Sequence, residues 1–221
     1  MVNIPYFKDK RIIIIEGIAG SGKNTIQERI KDRYNQEKFR VYDFSEEDLL
    51  FSWKHFWIEN MEMHRIRYLH SLLDYCEKLI DGHTKTVIIL NRFHITYAIV
   101  SEYRKEAKKL YDRLVDRLRG LPVHIFIGRL GLENIEKRAS HSERKDEIWR
   151  IHQQKRIKRS NVRSLSELYK NEQEAIFKIA EKQGIPYSVF EFKGSKLVLK
   201  DGDLVEVDAR TGRVTKIKGR G

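Results

Sequence analysis

A doubly wound α/β domain, with a parallel sheet covered by helices on both faces, is the fold class this sequence predicts. The first observation is Arg11-Ile12-Ile13-Ile14-Ile15-Glu16, a β-branched run without alternation. Such a run suits a strand buried on both faces rather than one with a wet side. The second is recurrence: residues 39–44, 86–90, 123–127 and 187–191 share that character, and helical patterns separate them. Strand alternating with helix is the pattern of a parallel sheet with crossover helices. The third is length, since 221 residues supply one such domain with a full core and a small appendage.

Each element has its own signal. Leu69, Leu72, Leu73, Cys76 and Leu79 form one apolar helical stripe, and Leu110, Leu114, Val115 and Leu118 form another. Ser45 followed by Asp48 predicts a capping box that opens a helix after the second strand. Gly120-Leu121-Pro122 stops a helix before the fourth strand, and Gly184-Ile185-Pro186 does the same before the fifth. The tail changes character. Asp201-Gly202 and Arg210-Thr211-Gly212 are turn signals between short alternating segments, which predicts a small β-meander. The expected organisation is therefore a core over 1–193, with five parallel strands, and a meander appendage over 194–221.

Composition sets outer limits. Hydrophobic residues make up 40% and charged residues 34%, as in a folded soluble protein. No apolar run reaches the roughly 20 residues of a membrane helix, so no membrane partner is expected. Residues 1–11 lack an apolar leader segment, and the single cysteine, Cys76, suits a reducing compartment; a cytoplasmic location is the expectation. Cys76 lies among leucines and reads as a buried, inert thiol. The net charge of +12 leaves two readings open. One is a polyanionic partner such as RNA or another nucleic acid. The other is the mixed-charge surface common in thermophilic proteins.

The strongest motif is Gly17-Ile18-Ala19-Gly20-Ser21-Gly22-Lys23, which follows the first strand directly and precedes a helix beginning near Asn24. Its glycines let the backbone curl so that N–H groups face phosphate oxygens. The helix N-terminus adds partial positive charge, and the Lys23 ammonium bridges phosphates. This spacing and context predict a P-loop that binds ATP through Gly17, Ile18, Ala19, Gly20, Ser21, Gly22, Lys23, Asn24 and Thr25. The hydroxyl residue that usually follows the lysine and ligates Mg²⁺ is replaced by Asn24. Its amide oxygen is the candidate metal ligand, either directly or through water.

Three segments together resemble the thymidylate kinase and deoxynucleoside kinase families of the nucleoside-monophosphate-kinase group, over about residues 10–192. They are Ile15-Glu16-Gly17 leading into Ser21-Gly22-Lys23-Asn24-Thr25, then Ile89-Leu90-Asn91-Arg92-Phe93-His94-Ile95-Thr96, then Asn134-Ile135-Glu136-Lys137-Arg138 through Glu143-Arg144-Lys145-Asp146-Glu147. The resemblance implies a P-loop NTPase fold, ATP with Mg²⁺, and transfer to a nucleoside monophosphate such as dTMP. It also implies an arginine-bearing lid over about 131–150 and a homodimer. On this reading Lys23 and Arg92 are catalytic, with Arg92 also clamping the acceptor, and Arg138 and Arg144 close over the phosphates. Asn91 stands where these families carry an aspartate, so base and metal-ligand duties do not transfer to it.

The segment after the second strand is the expected acceptor side. Glu46 or its neighbour Glu47 stands near the place of the acid that accepts a sugar hydroxyl proton in deoxynucleoside kinases. Trp53 and Trp57, with Phe56, share one helix face and read as core or as a base-stacking wall. Arg67 and Arg65 on the next helix are candidate acceptor-phosphate contacts. Two alternatives stand beside the monophosphate kinase. One is a kinase of RNA or polynucleotide ends, favoured by the charge and by Lys155-Arg156-Ile157-Lys158-Arg159. The other is a non-catalytic nucleotide-binding or RNA-binding regulatory module, favoured by Asn24 and Asn91.

Overall fold

The computed structural model of the protein describes residues 9–45, 48, 62–100, 105–139, 147–193, 196–201, 203–207 and 214–217. Its strands are β1 (Ile12–Gly17), β2 (Arg40–Phe44), β3 (Thr86–Asn91), β4 (Val123–Arg129), β5 (Tyr187–Lys193), β6 (Lys196–Asp201), β7 (Asp203–Val207) and β8 (Val214–Ile217). Its helices are α1 (Lys23–Gln36), α2 (Glu62–Gly82), α3 (Ile95–Val100), α4 (Lys105–Arg119), α5 (Leu132–Ala139), α6 (Glu147–Arg159) and α7 (Leu165–Gln183).

The strands form one sheet in the order β2-β3-β1-β4-β5-β6-β7-β8. The first five positions are all parallel, with Ile15 of β1 opposite Asn91 of β3 on one side and Phe126 of β4 on the other. β6, β7 and β8 then pair antiparallel and continue the same sheet beyond β5. The α/β fold with five parallel strands and a C-terminal meander is therefore as the sequence predicts.

The unbroken isoleucine run of β1 is explained by what lies on each side. Ile12 and Ile14 enter a core with Ile66, Leu69 and Leu73 of α2, Leu114 and Leu118 of α4, and Ile176 of α7. Ile13 and Ile15 point the other way, to Ile26, Ile30 and Tyr34 of α1 and to Leu197 and Leu199 of β6. All four isoleucines are completely buried. Burial of this kind contributes about 1.5–3 kcal/mol for each of these four side chains.

Local signals hold where they can be checked. Gly184 ends α7 in the left-handed conformation at φ 65°. Ser164 caps the start of α7, its hydroxyl accepting from Glu167 N at 3.1 Å. The capping-box pair also forms: Ser45 N donates to Asp48 Oδ2 at 2.8 Å, and Asp48 N donates to Ser45 Oγ at 3.2 Å. The helix that this box was expected to open lies outside the described residues. Among the described residues no helix is long and apolar enough to cross a membrane.

Candidate phosphate-binding site

β1 is central in the parallel sheet, and the chain leaves it at Gly17 into a loop that ends on α1. This is the carboxyl edge of the sheet, where open α/β folds bind ligands. Gly17 has φ 145° and Gly22 has φ 85°, regions that side chains resist. Gly17 also pairs in register with Gly128 of β4, and the two bare backbones make room for Ser21. A Cβ on either glycine would come within 2.6 Å of Ser21 Oγ. The loop is tight because its glycines permit close approach, as its spacing anticipates.

Gly22 is the N-cap of α1, and no side chain caps it. The first intrahelical bond is donated by Ile26 N to Gly22 O at 3.0 Å. The N–H groups of Lys23, Asn24 and Thr25 precede that bond, and no acidic residue stands in the first turn. The positive end of the helix is thus left for an external anion. Lys23 is 6% exposed and its ammonium donates to Ile18 O at 2.9 Å, folded back over the loop's own backbone. Gly17 ends β1, Ile18, Ala19, Gly20, Ser21 and Gly22 form the turn, and Lys23, Asn24 and Thr25 open α1.

β3 runs beside β1 and delivers the second motif to the same edge. Arg92, the first residue past β3, donates its backbone N–H to Ile15 O at 2.8 Å while held at φ 64°. A non-glycine residue in this region is strained, and such strain collects where function requires a fixed side-chain position. The turn that follows Arg92 is fixed by Glu16. Its carboxylate is completely buried, and Oε1 accepts from the N–H groups of Phe93, His94 and Ile95 at 3.1, 2.9 and 2.9 Å. Oε2 accepts from Thr96 N at 3.2 Å and from Thr96 Oγ1 at 2.5 Å. Glu16 therefore ties the residue before the phosphate loop to the turn that carries Arg92.

Asn91, 2% exposed, ends β3. Its Nδ2 donates to Asn24 Oδ1 at 2.9 Å and to Gln27 Oε1 at 2.7 Å. Its Oδ1 has no partner among the described residues. The two asparagines singled out as departures in the sequence are thus one contact, with Gln27 as a third member. Gln27 had no motif to mark it; its signal is position, one helical turn after Asn24 on the same face.

For a divalent cation this donor set is a poor match. Asn24 and Thr25 are exposed, Asn24 Oδ1 already accepts from Asn91, and both oxygens of Glu16 are engaged by residues 93–96. Among the described residues no cluster of three His, Cys, Asp or Glu side chains is placed to hold a metal. Neutral amide and hydroxyl oxygens are what remains, where Mg²⁺ favours carboxylates and phosphates.

His94 lies behind the edge rather than in it. It is completely buried and its Nε2 donates to Gln183 Oε1 at 2.9 Å, while the Gln183 amide donates to the Tyr111 hydroxyl at 2.7 Å. Burial holds its pKa below the ordinary value of 6.5, against the opposing pull of Glu16. Cys76 is likewise buried, and desolvation pushes its thiol up to about 12, so it is inert.

The other candidates fall in different places. On α2, Arg65 is 5% exposed and Arg67 is exposed, so of the two only Arg65 is enclosed. Arg138 lies on α5, but its side chain, like Glu46, Trp53, Trp57 and Arg144 as whole residues, lies outside the described residues. In the basic stretch of α6, Arg156 pairs with Glu172 of α7 and donates to Gln153 Oε1 at 2.8 Å. That guanidinium braces two helices.

No family model matches the chain, and no curated protein matches it. Solved structures with a similar fold include deoxyadenosine kinase from M. mycoides with bound dATP, at 12% identity and TM-score 0.47, covering 81% of this chain and 90% of that one. YorR from Bacillus subtilis, in complex with phosphorylated GDP, is 14% identical at TM-score 0.46, covering 81% and 85%. The protein APE1195 is 19% identical at TM-score 0.42, covering 64% and 76%. The nucleotides named belong to those proteins.

Proposed function

We propose that this chain is a P-loop phosphotransferase that moves the γ-phosphoryl group of ATP onto the phosphate of a nucleoside monophosphate. One observation carries the reading: an uncapped helix N-terminus with Lys23 folded over its glycine loop shares the sheet edge with Arg92, held at φ 64° just past the neighbouring strand. Phosphoryl transfer asks mainly for positioned positive charge around the migrating group. The loop N–H groups and Lys23 would take the β- and γ-phosphates, with Lys23 exchanging Ile18 O for a phosphate oxygen. Arg92 would face the acceptor. As an acceptor oxygen bonds to the γ-phosphorus, the bond to the β,γ-bridging oxygen breaks, and ADP leaves with that electron pair. An acceptor that is already an anionic phosphate needs no strong base, which accords with an amide at position 91.

The test is transfer from γ-labelled ATP to nucleosides, nucleoside monophosphates and 5′-hydroxyl RNA, with Lys23→Ala alongside. Label on one monophosphate, lost in the variant, is the expected result. Label on RNA alone would replace the acceptor with a polynucleotide end, and its rate would fall steeply with salt.

A second reading, a nucleotide-binding module without turnover, is favoured by the Asn91–Asn24–Gln27 contact standing where a carboxylate would assist catalysis. It predicts ATP binding with no labelled product from any acceptor.

A further inference from the structure

Resting on the nucleotide-binding reading of this loop, we infer that the site takes its nucleoside triphosphate as the free polyanion in preference to the divalent-metal complex, and that the uncharged Asn91–Asn24–Gln27 cluster sets that preference.

The first support is the cluster itself. Asn91 is enclosed at the carboxyl end of β3, and both of its amide hydrogens are used, one by Asn24 Oδ1 and one by Gln27 Oε1. That fixes the side chain and leaves Oδ1 without a partner among the described residues. A buried acceptor in this state is costly unless something donates to it. A neutral oxygen meets that need with a water or a ligand hydroxyl, but it offers a dication no charge.

The second support is the fate of three described acids, one on β1 and two at or just past the end of β2. Glu16 spends both oxygens on the backbone and hydroxyl of residues 93–96. Asp43, near the end of β2, pairs with Lys31 at 2.9 Å. Asp48 accepts from the N–H and hydroxyl of Ser45. Each of these carboxylates already has its own partner.

The third support is the positive charge that the loop and the neighbouring strand end carry. Lys23 is nine-tenths enclosed within the loop, and Arg92 is the first residue past β3 at the same edge. The N-terminus of α1 adds to them, with no acid in its first turn. A free triphosphate carries more negative charge than its metal complex, so positive groups at the loop favour the free form. A carboxylate at position 91 or 24 would reverse the balance by repelling the free anion and attracting the complexed metal.

Isothermal titration calorimetry of the full chain with ATP, in EDTA and in excess Mg²⁺, tests this. The expected result is a Kd in EDTA equal to or tighter than that with Mg²⁺. Asn91→Asp should weaken binding in EDTA by about tenfold or more and make Mg²⁺ favourable. Asn24→Asp places the same charge at an exposed position and carries the test where the buried substitution impairs folding. Wild-type binding only in Mg²⁺, or an Asn24→Asp protein with an unchanged EDTA-to-Mg²⁺ ratio, would overturn this inference and leave the phosphotransferase reading standing. Absence of ATP binding under both conditions would overturn both.

Discussion

The ring of Phe192 occupies the space that a side chain on Gly22 would need: a Cβ built there would come within 2.5 Å of Phe192 Cδ2. The Arg29 guanidinium lies over the same ring at 5.2 Å, and Phe190 meets it edge-on at 6.0 Å. The last parallel strand thus props the phosphate loop, although the two are far apart in sequence. Gly22→Ala should cost about 1–3 kcal/mol, combining left-handed strain with the clash. Adding Phe192→Leu should return the steric part and leave the φ part. Urea denaturation of the single and double variants measures both terms, and a double variant no more stable than Gly22→Ala would mean the ring gives the loop no support.

Arg92 separates stability from activity. Its left-handed backbone is kept by the bond to Ile15 O, so glycine fits the position and a β-branched residue does not. Arg92→Gly should be more stable than Arg92→Val by about 1–2 kcal/mol. Phosphoryl transfer should vanish in both. Thermal melts beside the labelled-ATP assay provide the comparison; retained transfer in the glycine variant would remove Arg92 from the chemistry.

Glu16 is the tie between loop and turn. In Glu16→Gln one carboxylate oxygen becomes an amide that presents hydrogens to Thr96 N and Oγ1, or to the three N–H groups on the other side. The loss should be about 3 kcal/mol, since buried donors would face a donor. Denaturation midpoints check it, and a neutral substitution would show that the turn holds itself.

His94 should give the protein an acid sensitivity whose direction follows from its burial. Its folded pKa lies below 6.5 because burial disfavours the cation, with Glu16 and Tyr111 the titratable groups nearest the ring network. In the unfolded chain the imidazole takes a proton near pH 6.5, so between that value and the lower folded pKa the unfolded state binds more protons. The His94 contribution is complete above about pH 6.5 and is lost as pH falls toward the folded pKa. Melting temperature should decline on acidification over that window, and His94→Gln should flatten this part of the curve. An identical slope in the variant would assign the acid loss to other groups.

Much of the site was legible because its signals are local. Gly17, Gly20, Gly22 and Lys23 are spaced for a loop whatever surrounds them, and Arg92 announces itself by following a buried strand. The partnership of Asn24 with Asn91 was not legible, since 67 residues separate them and only strand order brings β3 beside β1. Glu16 was visible as part of a motif, but its five hydrogen bonds all reach residues 93–96 and depend on that same neighbour relation. Arg156 stood in a basic run that suggested a nucleic-acid contact, and its partner Glu172 lies on another helix.

What the sequence determined by itself is whatever follows from backbone preference and burial pattern within one segment. The isoleucine run needed cover on both faces, the glycines needed positive φ, and the helix after Gly22 had to begin without a cap. Tertiary structure decided which segments became neighbours: β3 rather than β2 beside β1, Phe192 against Gly22, and Asn91 between Asn24 and Gln27. The physical reason is that pairing along a sheet is settled by the sum of many weak contacts on both faces. No short segment records that sum, so the charge and reach of this site emerge only after the chain has closed around β1.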